Sequence, residues 1–442
     1  GSLGSVVPIA VALTLSVVAA RVFATAPVGR LAKASREDVL AARAMGIDPA
    51  VQQIAALLLS VVIVAVGSSL RVWELGTITP KFFFFDYTLL TLTMLIVGGR
   101  NSVTGALTGV VLITAGSELT RYLAGPSVDI EPLDWILRDG LTNLFLGGSM
   151  LGFMILRANG LLDDWELDEW FTRRRKAATE DAPPAPVAAP SPMPVSLVAD
   201  SVTVDFGGFR ALDAASLGAG SDEVVGVIGP NGAGKTTLLN VVTGLVPSSS
   251  GDVSLGDRPL TGRRPHVIAR AGIVRTFQNL RLFGALTVRE NVAVAALAAG
   301  RHRGDRPHPG VDELLVLCRL WELRDRRARE LDYGNARRLE LARAAAAAPS
   351  FLLLDEPTSG MSDAESVAMI DQVRATAAAV GAGVVVIDHD LAFITGICDR
   401  IVCLDQGQVI AEGSAAEIQA DPLVQAAYIG ARADDAQAAG AS

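Results

Sequence analysis

A glycine-rich run, GPNGAGKTT from Gly229 to Thr237, constrains this 442-residue chain more than any other feature. It follows the apolar stretch Val224 to Ile228, which is typical of a buried strand, and it opens what reads as a helix. In that setting backbone N–H groups and a helix N-terminus can surround a polyphosphate. Lys235 would supply charge for the outer phosphates, and the Thr236 hydroxyl would bind Mg²⁺. The predicted loop consists of Gly229, Pro230, Asn231, Gly232, Ala233, Gly234, Lys235, Thr236 and Thr237.

The two halves of the chain differ in composition. Half of all residues are apolar and few are aromatic, and the long apolar runs lie before about Leu162. From Val195 onward, short Val/Ile-rich stretches alternate with Ala/Leu-rich ones, which is the pattern of an α/β domain. We predict a membrane all-α bundle over residues 1–160, a Pro/Ala-rich charged tether over 161–194, an α/β nucleotide-binding domain over 195–432 and a disordered tail over 433–442.

Five apolar stretches approach the roughly 20 residues that a helix needs to cross a bilayer. The loop after the first stretch is rich in Arg and Lys, which favours the cytoplasmic side. Alternation then puts the end of the fifth span, and everything after it, in the cytoplasm. The predicted spans are Val6–Phe23, Val51–Leu70, Phe82–Val97, Gly105–Leu123 and Trp135–Leu156.

The first cytoplasmic loop contains SREDVLAARAMGIDP, in which Glu37 and Asp38 precede a small-residue helix that ends at Gly46. Such a helix is too short and too polar to span. We interpret it, near residues 35–48, as an element that couples the spans to the nucleotide-binding half. The alternative is an ordinary amphipathic loop helix.

The net charge and the first residues of the chain support two further expectations. The net charge of −9 comes without a basic face, so we predict no nucleic-acid partner. The chain opens with Gly1 and Ser2 and enters an apolar run almost at once, so we expect the back part of a longer polypeptide. A signal peptide is disfavoured because no positively charged stretch precedes that run.

Further chemistry-bearing residues follow the phosphate loop. FLLLDE reads as a buried strand ending in Asp355 and Glu356, where the first carboxylate can hold Mg²⁺ through water and the second can polarise an attacking water. RTFQNLRLF contains Gln278, and LDYGNARRLELARA places a glycine-containing turn before a helix that can receive an anion. His389 follows the strand-like VVVID and can reach a terminal phosphate.

This ordered set resembles the ATPase domain of ATP-binding cassette (ABC) transporters, with its helical subdomain, over Val195 to Gly430. The resemblance implies ATP and Mg²⁺ as ligands and gives each motif a role. Phe206 stacks on adenine, Gln278 senses Mg²⁺ and the membrane partner, Asp355 binds Mg²⁺ through water, Glu356 is the general base, and His389 contacts the γ-phosphate. The signature turn, residues 331–335 with Tyr333, Gly334 and Asn335, contacts ATP held by an opposing subunit.

Within that superfamily, FGGFRALD, the Tyr-Gly turn and the closing VQAAYIG resemble the branched-chain amino acid importers. EDVLAARAMGID, GGRNSVTG and RANGLL resemble the C-terminal part of the permease of that system. The resemblance implies a fused permease and ATPase in a bacterial inner membrane. Its expected partners are the lipid bilayer, a periplasmic or extracellular substrate-binding protein, and either a second permease and a second ATPase subunit or a second copy of this chain.

Four alternatives stay open at this point. An importer of this type can carry urea or short amides, and an exporter half-transporter would share the ATPase motifs. A soluble ABC ATPase is disfavoured by the five apolar stretches, and a non-catalytic ATP-binding subunit by Glu356 and His389. Tyr333, Asn335 and Ser362 depart from the common ABC pattern, and their effect on turnover is open.

Overall fold

The computed structural model describes residues 3–77, 85–123, 140–163, 165–167, 183–184, 194–300 and 308–428. The chain divides into two compact units. The first, here the helical unit, comprises Gly1–Ala26 and Ala56–Ala182; the second, here the α/β unit, comprises Pro27–Ala55 and Pro183–Ser442. Most of the predicted tether, residues 124–134 between the fourth and fifth predicted spans, and the predicted tail 433–442 lie outside the described residues.

The described residues up to 160 form helices and the short turns between them. Their apolar composition, without strand-like alternation, favours this structure. The helices are α1 (Leu3–Thr25), α2 (Pro27–Glu37), α3 (Val39–Ala44), α4 (Pro49–Leu75), α5 (Phe85–Gly98), α6 (Val103–Leu123) and α7 (Leu141–Leu156).

Among the described residues, three helices are long and apolar enough to cross a membrane. These correspond to the first, second and fourth predicted spans and cover Val6–Thr25, Pro49–Leu75 and Val103–Leu123. At the third and fifth predicted spans the described helices α5 and α7 are apolar but shorter, with 14 and 16 residues. Residues 82–84 and 135–139 of those two predictions lie outside the described part of the chain. The finding is therefore three candidate spans and two shorter apolar helices, where the sequence predicts five spans.

Close backbone contact joins α5 to α6 in the helical unit. A Cβ added to Gly98 would collide with the carbonyl oxygen of Gly105, and one on Gly109 would collide with that of Met94. Glycine lets two helices approach closely, as is common where lipid gives no hydrophobic force between them. The close packing of α5 against α6 therefore depends on glycine at these positions.

Glu166 fastens the start of the predicted tether to the helical unit. This carboxylate is 5% exposed and accepts hydrogen bonds from the backbone N–H groups of Val103 and Thr104, at 2.8 and 3.0 Å. It therefore caps the N-terminus of α6, where negative charge is favourable, and it pairs with Arg21 of α1 at 2.7 Å. Leu161 also donates its N–H to the carbonyl of Val97 at 2.9 Å. The structure thus joins residues 161–163 and 165–167 to the helical unit.

The α/β unit is built on two sheets over the described residues 194–300 and 308–428. The first sheet is antiparallel, in the order β2-β1-β4-β5. The second runs β10-β9-β3-β8-β7-β6 and is parallel except for the edge strand β10. The strands are β1 (Ser196–Phe206), β2 (Phe209–Gly220), β3 (Val224–Ile228), β4 (Ser250–Leu255), β5 (Arg258–Pro259), β6 (Ile273–Arg275), β7 (Phe351–Asp355), β8 (Gly383–Ile387), β9 (Arg400–Asp405) and β10 (Gln408–Gly413).

Helices cover this sheet, and the strands β3, β7 and β8 are almost wholly buried between them. One apolar cluster extends from the parallel sheet into a group of helices that includes α10, α11 and α12, consistent with the predicted helical subdomain. The helices are α8 (Lys235–Val242), α9 (Pro265–Ala271), α10 (Val288–Ala299), α11 (Val311–Leu317), α12 (Tyr333–Ala346), α13 (Asp363–Val380), α14 (Leu391–Ile397) and α15 (Ala415–Ala420).

Strand order decides where the motifs meet. Parallel strands present their carboxyl ends at one edge of the sheet, which is where ligands bind in open α/β sheets. The neighbours β3, β8, β7 and β6 therefore bring the segments that follow them to one edge. Those segments carry the glycine-rich loop, His389, Glu356 and Gln278, which are separate in sequence.

Candidate functional site

The glycine-rich loop joins β3 to α8 in the conformation that its sequence predicts. Gly229, Gly232 and Gly234 have φ angles of 147°, 81° and 100°, a region that other residues rarely adopt. At Gly229 a Cβ would also collide with the carbonyl oxygen of Leu404. Gly234 is the N-cap of α8, so the first N–H groups of that helix open toward the loop. The geometry suits the binding of an anion.

Lys235 lies within this loop and near two carboxylates. Its Nζ donates to the carbonyl oxygens of Gly229 and Pro230 at 2.7 and 2.8 Å. Burial lowers the pKa of Lys235, while the negative charges of Glu356 and Asp355 act in the opposite direction. The side chain is thus a half-buried cation held between the loop and the end of β7.

Asp355 ends β7 in a buried ion pair. Its Oδ2 accepts from Arg275 Nη2 at 2.6 Å, and both side chains are 3% exposed. Arg275 also donates to Asn240 Oδ1 on α8 at 2.6 Å. Within the described residues, Asp355 Oδ1 is buried without a hydrogen-bond donor. Because an unsatisfied buried acceptor costs free energy, that oxygen is well placed to bind a cation.

Glu356 is held in a strained conformation beside two other predicted residues. Its φ is 49°, which costs about 1–3 kcal/mol for a residue other than glycine, and its N–H donates to Ile387 O at 2.8 Å. Gln278 Nε2 donates to Glu356 Oε2 at 2.9 Å, and His389 Nδ1 lies 4.0 Å from the same oxygen. The His389 side chain is 70% exposed, so its ring can reach a ligand at this edge.

A buried carboxylate, Asp388, organises the turn that carries His389. Its Oδ1 accepts from the N–H groups of His389 and Asp390, and its Oδ2 accepts from the Thr358 hydroxyl at 2.6 Å. The residue is 1% exposed. Asp388 therefore ties the end of β8 to the loop after Glu356.

The signature turn begins α12. Asp332 is the N-cap, and its side chain accepts from the Asn335 N–H at 2.8 Å and from Asn335 Nδ2 at 2.7 Å. Tyr333 is 42% exposed, and its ring lies against Gly360 in the loop after β7. Gly334 is partly exposed between Tyr333 and Asn335.

Arg337 connects that turn to Gln278. Its guanidinium donates to the backbone carbonyls of Phe277 and Gln278, at 2.8 and 2.5 Å, and to the Tyr333 hydroxyl at 2.8 Å. It also pairs with Glu340 at 3.1 Å, and both side chains are nearly fully buried. The signature turn and the Gln278 segment are thus parts of one hydrogen-bonded network.

Phe206 and Ser362 complete the predicted set. Phe206 lies at the end of β1 with half of its surface exposed, so its ring is available for stacking. Ser362 is the N-cap of α13 and forms a capping box with Glu365. Its hydroxyl donates to Glu365 Oε2 at 2.7 Å.

Residues 27–48, here the docking segment, belong to the α/β unit and pack on its helices and loops beyond the Gln278 segment. Asp38 Oδ2 pairs with Arg281 Nη1 at 2.9 Å, and Arg270 Nε donates to Gly46 O at 2.7 Å. Asp38 is also the N-cap of α3. The apolar part of this contact consists of Leu31, Ala34, Ala41, Ala42, Ile47, Phe283, Leu286, Val294 and Ala298.

Beneath the docking segment lies a fully buried guanidinium. Within the described residues, Arg343 of α12 has no hydrogen-bond partner for Nε, Nη1 or Nη2, and it stacks 4.8 Å from the Phe283 ring centre. Burial lowers the pKa of Arg343, while Glu340 and Asp38 favour its charged form. One face of α12 therefore carries charges between the docking segment and Gln278.

The structure brings together Lys235, Asp355, Glu356, Gln278 and His389. It places Tyr333, Gly334 and Asn335 on another element, linked to Gln278 through Arg337. Sequence reasoning missed four residues that hold this arrangement, and each became recognisable only once its neighbouring strand or helix was known. They are Arg275, Asp388, Arg337 and the capping residue Asp332.

The arrangement fits Mg²⁺ as well as a triphosphate. Hydroxyl, amide and carboxylate oxygens are the ligands that this ion prefers, and Thr236, Gln278 and Asp355 offer them. The buried Asp355 Oδ1, which lacks a donor among the described residues, is the structural observation that supports the fit.

These features define a nucleotide-binding ATPase domain of the ABC class joined to apolar membrane helices. A family model described as "ABC transporter" matches residues 212–359. A second, "Branched-chain amino acid transport system / permease component", matches residues 2–154. A third, "Branched-chain amino acid ATP-binding cassette transporter", matches residues 408–434.

Curated relatives match the α/β half. The high-affinity branched-chain amino acid transport ATP-binding protein LivG of Salmonella typhimurium is 37% identical over 248 residues, covering 53% of this chain and 97% of LivG. BraF of Pseudomonas aeruginosa, with the same description, is 35% identical over 252 residues with the same coverage. The lipopolysaccharide export system ATP-binding protein LptB of Escherichia coli K12 is 34% identical over 235 residues, again covering 53% and 97%. Among solved structures, the ADP conformation of an ABC transporter cassette is 29% identical, with a TM-score of 0.47, covering 54% of this chain and 99% of that one.

The chain belongs to the ABC transporters of the branched-chain amino acid transport family, as a permease segment fused to an ATPase of LivG type. The resemblance stated from its sequence is thereby confirmed. The α/β unit is an ABC ATPase whose hydrolysis of ATP drives transport.

Proposed function

We propose that this chain imports branched-chain or related hydrophobic amino acids across a bacterial inner membrane. The permease match over residues 2–154 carries this proposal, since an ATPase resembling LptB as well as LivG does not by itself distinguish import from export. The working assembly contains two ATPase domains, a second permease and a substrate-binding protein on the outer side.

Hydrolysis takes place at the carboxyl edge of the parallel sheet. The loop from Gly229 binds the phosphates, Lys235 neutralises their outer charge, and Phe206 stacks on the adenine. Glu356 accepts a proton from the attacking water while Gln278 fixes its carboxylate, and His389, 4.0 Å from the same carboxylate, contacts the γ-phosphate. Bound Mg²⁺ would neutralise developing charge on the phosphate oxygens, and Thr236, Gln278 and Asp355 would hold it.

The docking segment transmits the state of this site to the membrane helices. It packs on Phe283 and pairs with Arg281, only a few residues beyond Gln278. Since Gln278 contacts Glu356, movement of the Gln278 segment on ATP binding reaches α2 and α3 directly. The predicted coupling element is proposed to act through these contacts.

Glu356→Gln tests the proposed function. Loss of the base should lower ATP turnover by at least about 100-fold while nucleotide binding remains, because the amide preserves shape without accepting the proton. Turnover would be measured as phosphate release by the complex reconstituted in lipid, and binding with a fluorescent ATP analogue. The matched control is Glu322→Gln, an exposed glutamate in a short 3-10 helix.

Uptake assays with the same complex separate the substrates. ATP-dependent accumulation of leucine, isoleucine or valine in excess of urea supports the amino acid proposal. Accumulation of urea alone would show that urea, and not an amino acid, is the substrate. Movement of substrate out of the vesicle interior that corresponds to the cytoplasm would show that the complex is an exporter. Unchanged turnover in the Glu356→Gln complex would remove the assignment of the base.

A further inference from the structure

The signature turn carries negative charge of its own where the proposed function requires it to meet a triphosphate. Both Asp332 oxygens accept hydrogen bonds from Asn335, one from its backbone and one from its side chain. These bonds lower the pKa of Asp332, so the exposed side chain is a carboxylate at neutral pH. One N–H of the α12 terminus is therefore already used by an anion.

A second carboxylate flanks the same turn. A Cβ placed on Gly334 would lie 3.6 Å from Glu365 Oε1 and 3.7 Å from Asp332 Oδ1. Arg338 Nη1 donates to Asn335 Oδ1 at 3.3 Å. The other guanidinium at this turn, Arg337, is paired with Glu340. Among the described residues, the two carboxylates therefore face the single unpaired charge of Arg338, and the surroundings of Gly334 are negative.

This charge opposes the usual chemistry of a helix N-terminus. Such an end attracts phosphate because its N–H groups are free and its dipole is positive. A capping carboxylate satisfies both attractions, and a triphosphate that approaches within several ångströms meets like charge at a partly exposed site. The turn therefore binds ATP less well than an uncharged cap would.

We propose that Asp332 slows ATP turnover at the site that this turn completes, so that full activity needs a second ATPase subunit with an uncharged residue there. The inference rests on the proposed function, in which the turn faces ATP on the opposing subunit. In a pair of identical chains, both sites meet Asp332. With the uncharged partner, the phosphate loop and Glu356 of this chain form the fast site.

Asp332→Asn tests the charge alone, because asparagine caps helices as well as aspartate does. In the full chain reconstituted in lipid, the variant should raise kcat/KM for ATP about tenfold at low salt. The gain should shrink near 1 M salt, where the screening length is about 3 Å. Asp325→Asn, at an aspartate whose side chain is 85% exposed, is the control and should change nothing. Equal thermal unfolding of the variants excludes a folding effect.

Two mixed assemblies test action across the subunit interface. Differently tagged chains would be co-purified as two assemblies. The first pairs a wild-type chain with a chain that carries both Asp332→Asn and Glu356→Gln. The second pairs an Asp332→Asn chain with a Glu356→Gln chain. Both contain the same substitutions, yet only the first sets an active Glu356 opposite an uncharged turn. The first should hydrolyse ATP about tenfold faster.

Equal rates, or a faster second assembly, overturn the inference, as does an Asp332→Asn chain within twofold of wild type at low salt. Turnover that survives Glu356→Gln in both copies refutes the proposed base instead. The two failures are thus distinguished by one set of proteins.

Discussion

The two units of this chain differ in where their apolar side chains lie: the α/β unit buries them, and the helical unit exposes many of them. The α/β unit buries them around a parallel sheet and holds charges such as Asp355 and Arg275 inside. In the helical unit, the three candidate spans bury 0%, 6% and 28% of their most apolar windows. Side chains such as Leu58 and Val111 are 62% and 69% exposed. The α/β unit carries its own core, whereas the helical unit needs lipid or other helices to cover its surface.

This contrast predicts different weak points. Removing a charge should be most damaging in the α/β unit, where burial leaves its partner uncompensated. Adding a methyl group should be most damaging in the helical unit, where α5 and α6 meet through glycine backbone.

The largest expected effect is that of Arg275→Leu. The change leaves Asp355 buried without its ion-pair partner, which costs about 3–5 kcal/mol. Labelling of Cys318 in urea should measure this, since that thiol is buried in the α/β unit. The detergent-solubilised chain should expose Cys318 at clearly lower urea.

Two controls sharpen this result. Arg210→Gln breaks an exposed pair with Asp205 and should leave the labelling midpoint unchanged. The double variant Arg275→Leu/Asp355→Leu should regain much of the lost stability because neither charge remains buried. Equal midpoints for Arg275→Leu and wild type would contradict the role given to the pair.

Gly98→Ala should have the next largest effect. Its Cβ would collide with the Gly105 carbonyl, and overpacking of this kind costs about 1–3 kcal/mol. Gly152→Ala is the matched control, since nothing lies within 4 Å of a Cβ there. Thermal stability in detergent, followed by size-exclusion chromatography, should fall for Gly98→Ala alone. Equal stability of the two variants would show that α5 and α6 do not depend on this approach.

Asp38→Asn should have the smallest effect. It should change the coupling of ATP hydrolysis to transport more than it changes the stability of the protein. Asparagine still caps α3 but loses the ion pair with Arg281, a change of about 1 kcal/mol, or roughly fivefold in an equilibrium. The ratio of substrate transported to ATP hydrolysed should fall severalfold in proteoliposomes, with basal hydrolysis little changed. Glu74→Gln, at the exposed end of α4, is the control. A ratio equal to that of wild type would remove Asp38 from the coupling path.

Sequence predicted well those parts of the site that are encoded by contiguous residues. The strand, loop and helix around Gly229 to Thr237 follow one another directly, and the acidic end of β7 follows an apolar strand. Arg275 could not be found in this way, because its pairing with Asp355 depends on β6 lying beside β7. Arg337 likewise gains meaning only when α12 is placed against Gln278.

The contact made by Glu166 could not be found from the sequence for a related reason. In DDWELDEW, Glu166 is one of several acids and reads as part of a solvated tether. Its cap on α6 lies more than 60 residues earlier in the chain. At α5 and α7 the predicted starts of the spans, Phe82 and Trp135, lie outside the described part of the chain, so the full lengths of these two spans stay predictions.

The placement of residues 27–55 in the α/β unit has a consequence for biosynthesis. The apolar face of Leu31, Ala34 and Ile47 leaves the ribosome about 250 residues before Ala298, the last member of the cluster that buries it. At a translation rate of about 5–20 residues per second, that apolar face stays exposed for roughly 12–50 s before the residues that bury it have been synthesised. If the ATPase domain were expressed alone from residue 195, the other side of this contact would stay uncovered. Phe283 and Val294 would then be exposed to solvent, and the fragment would be prone to aggregation.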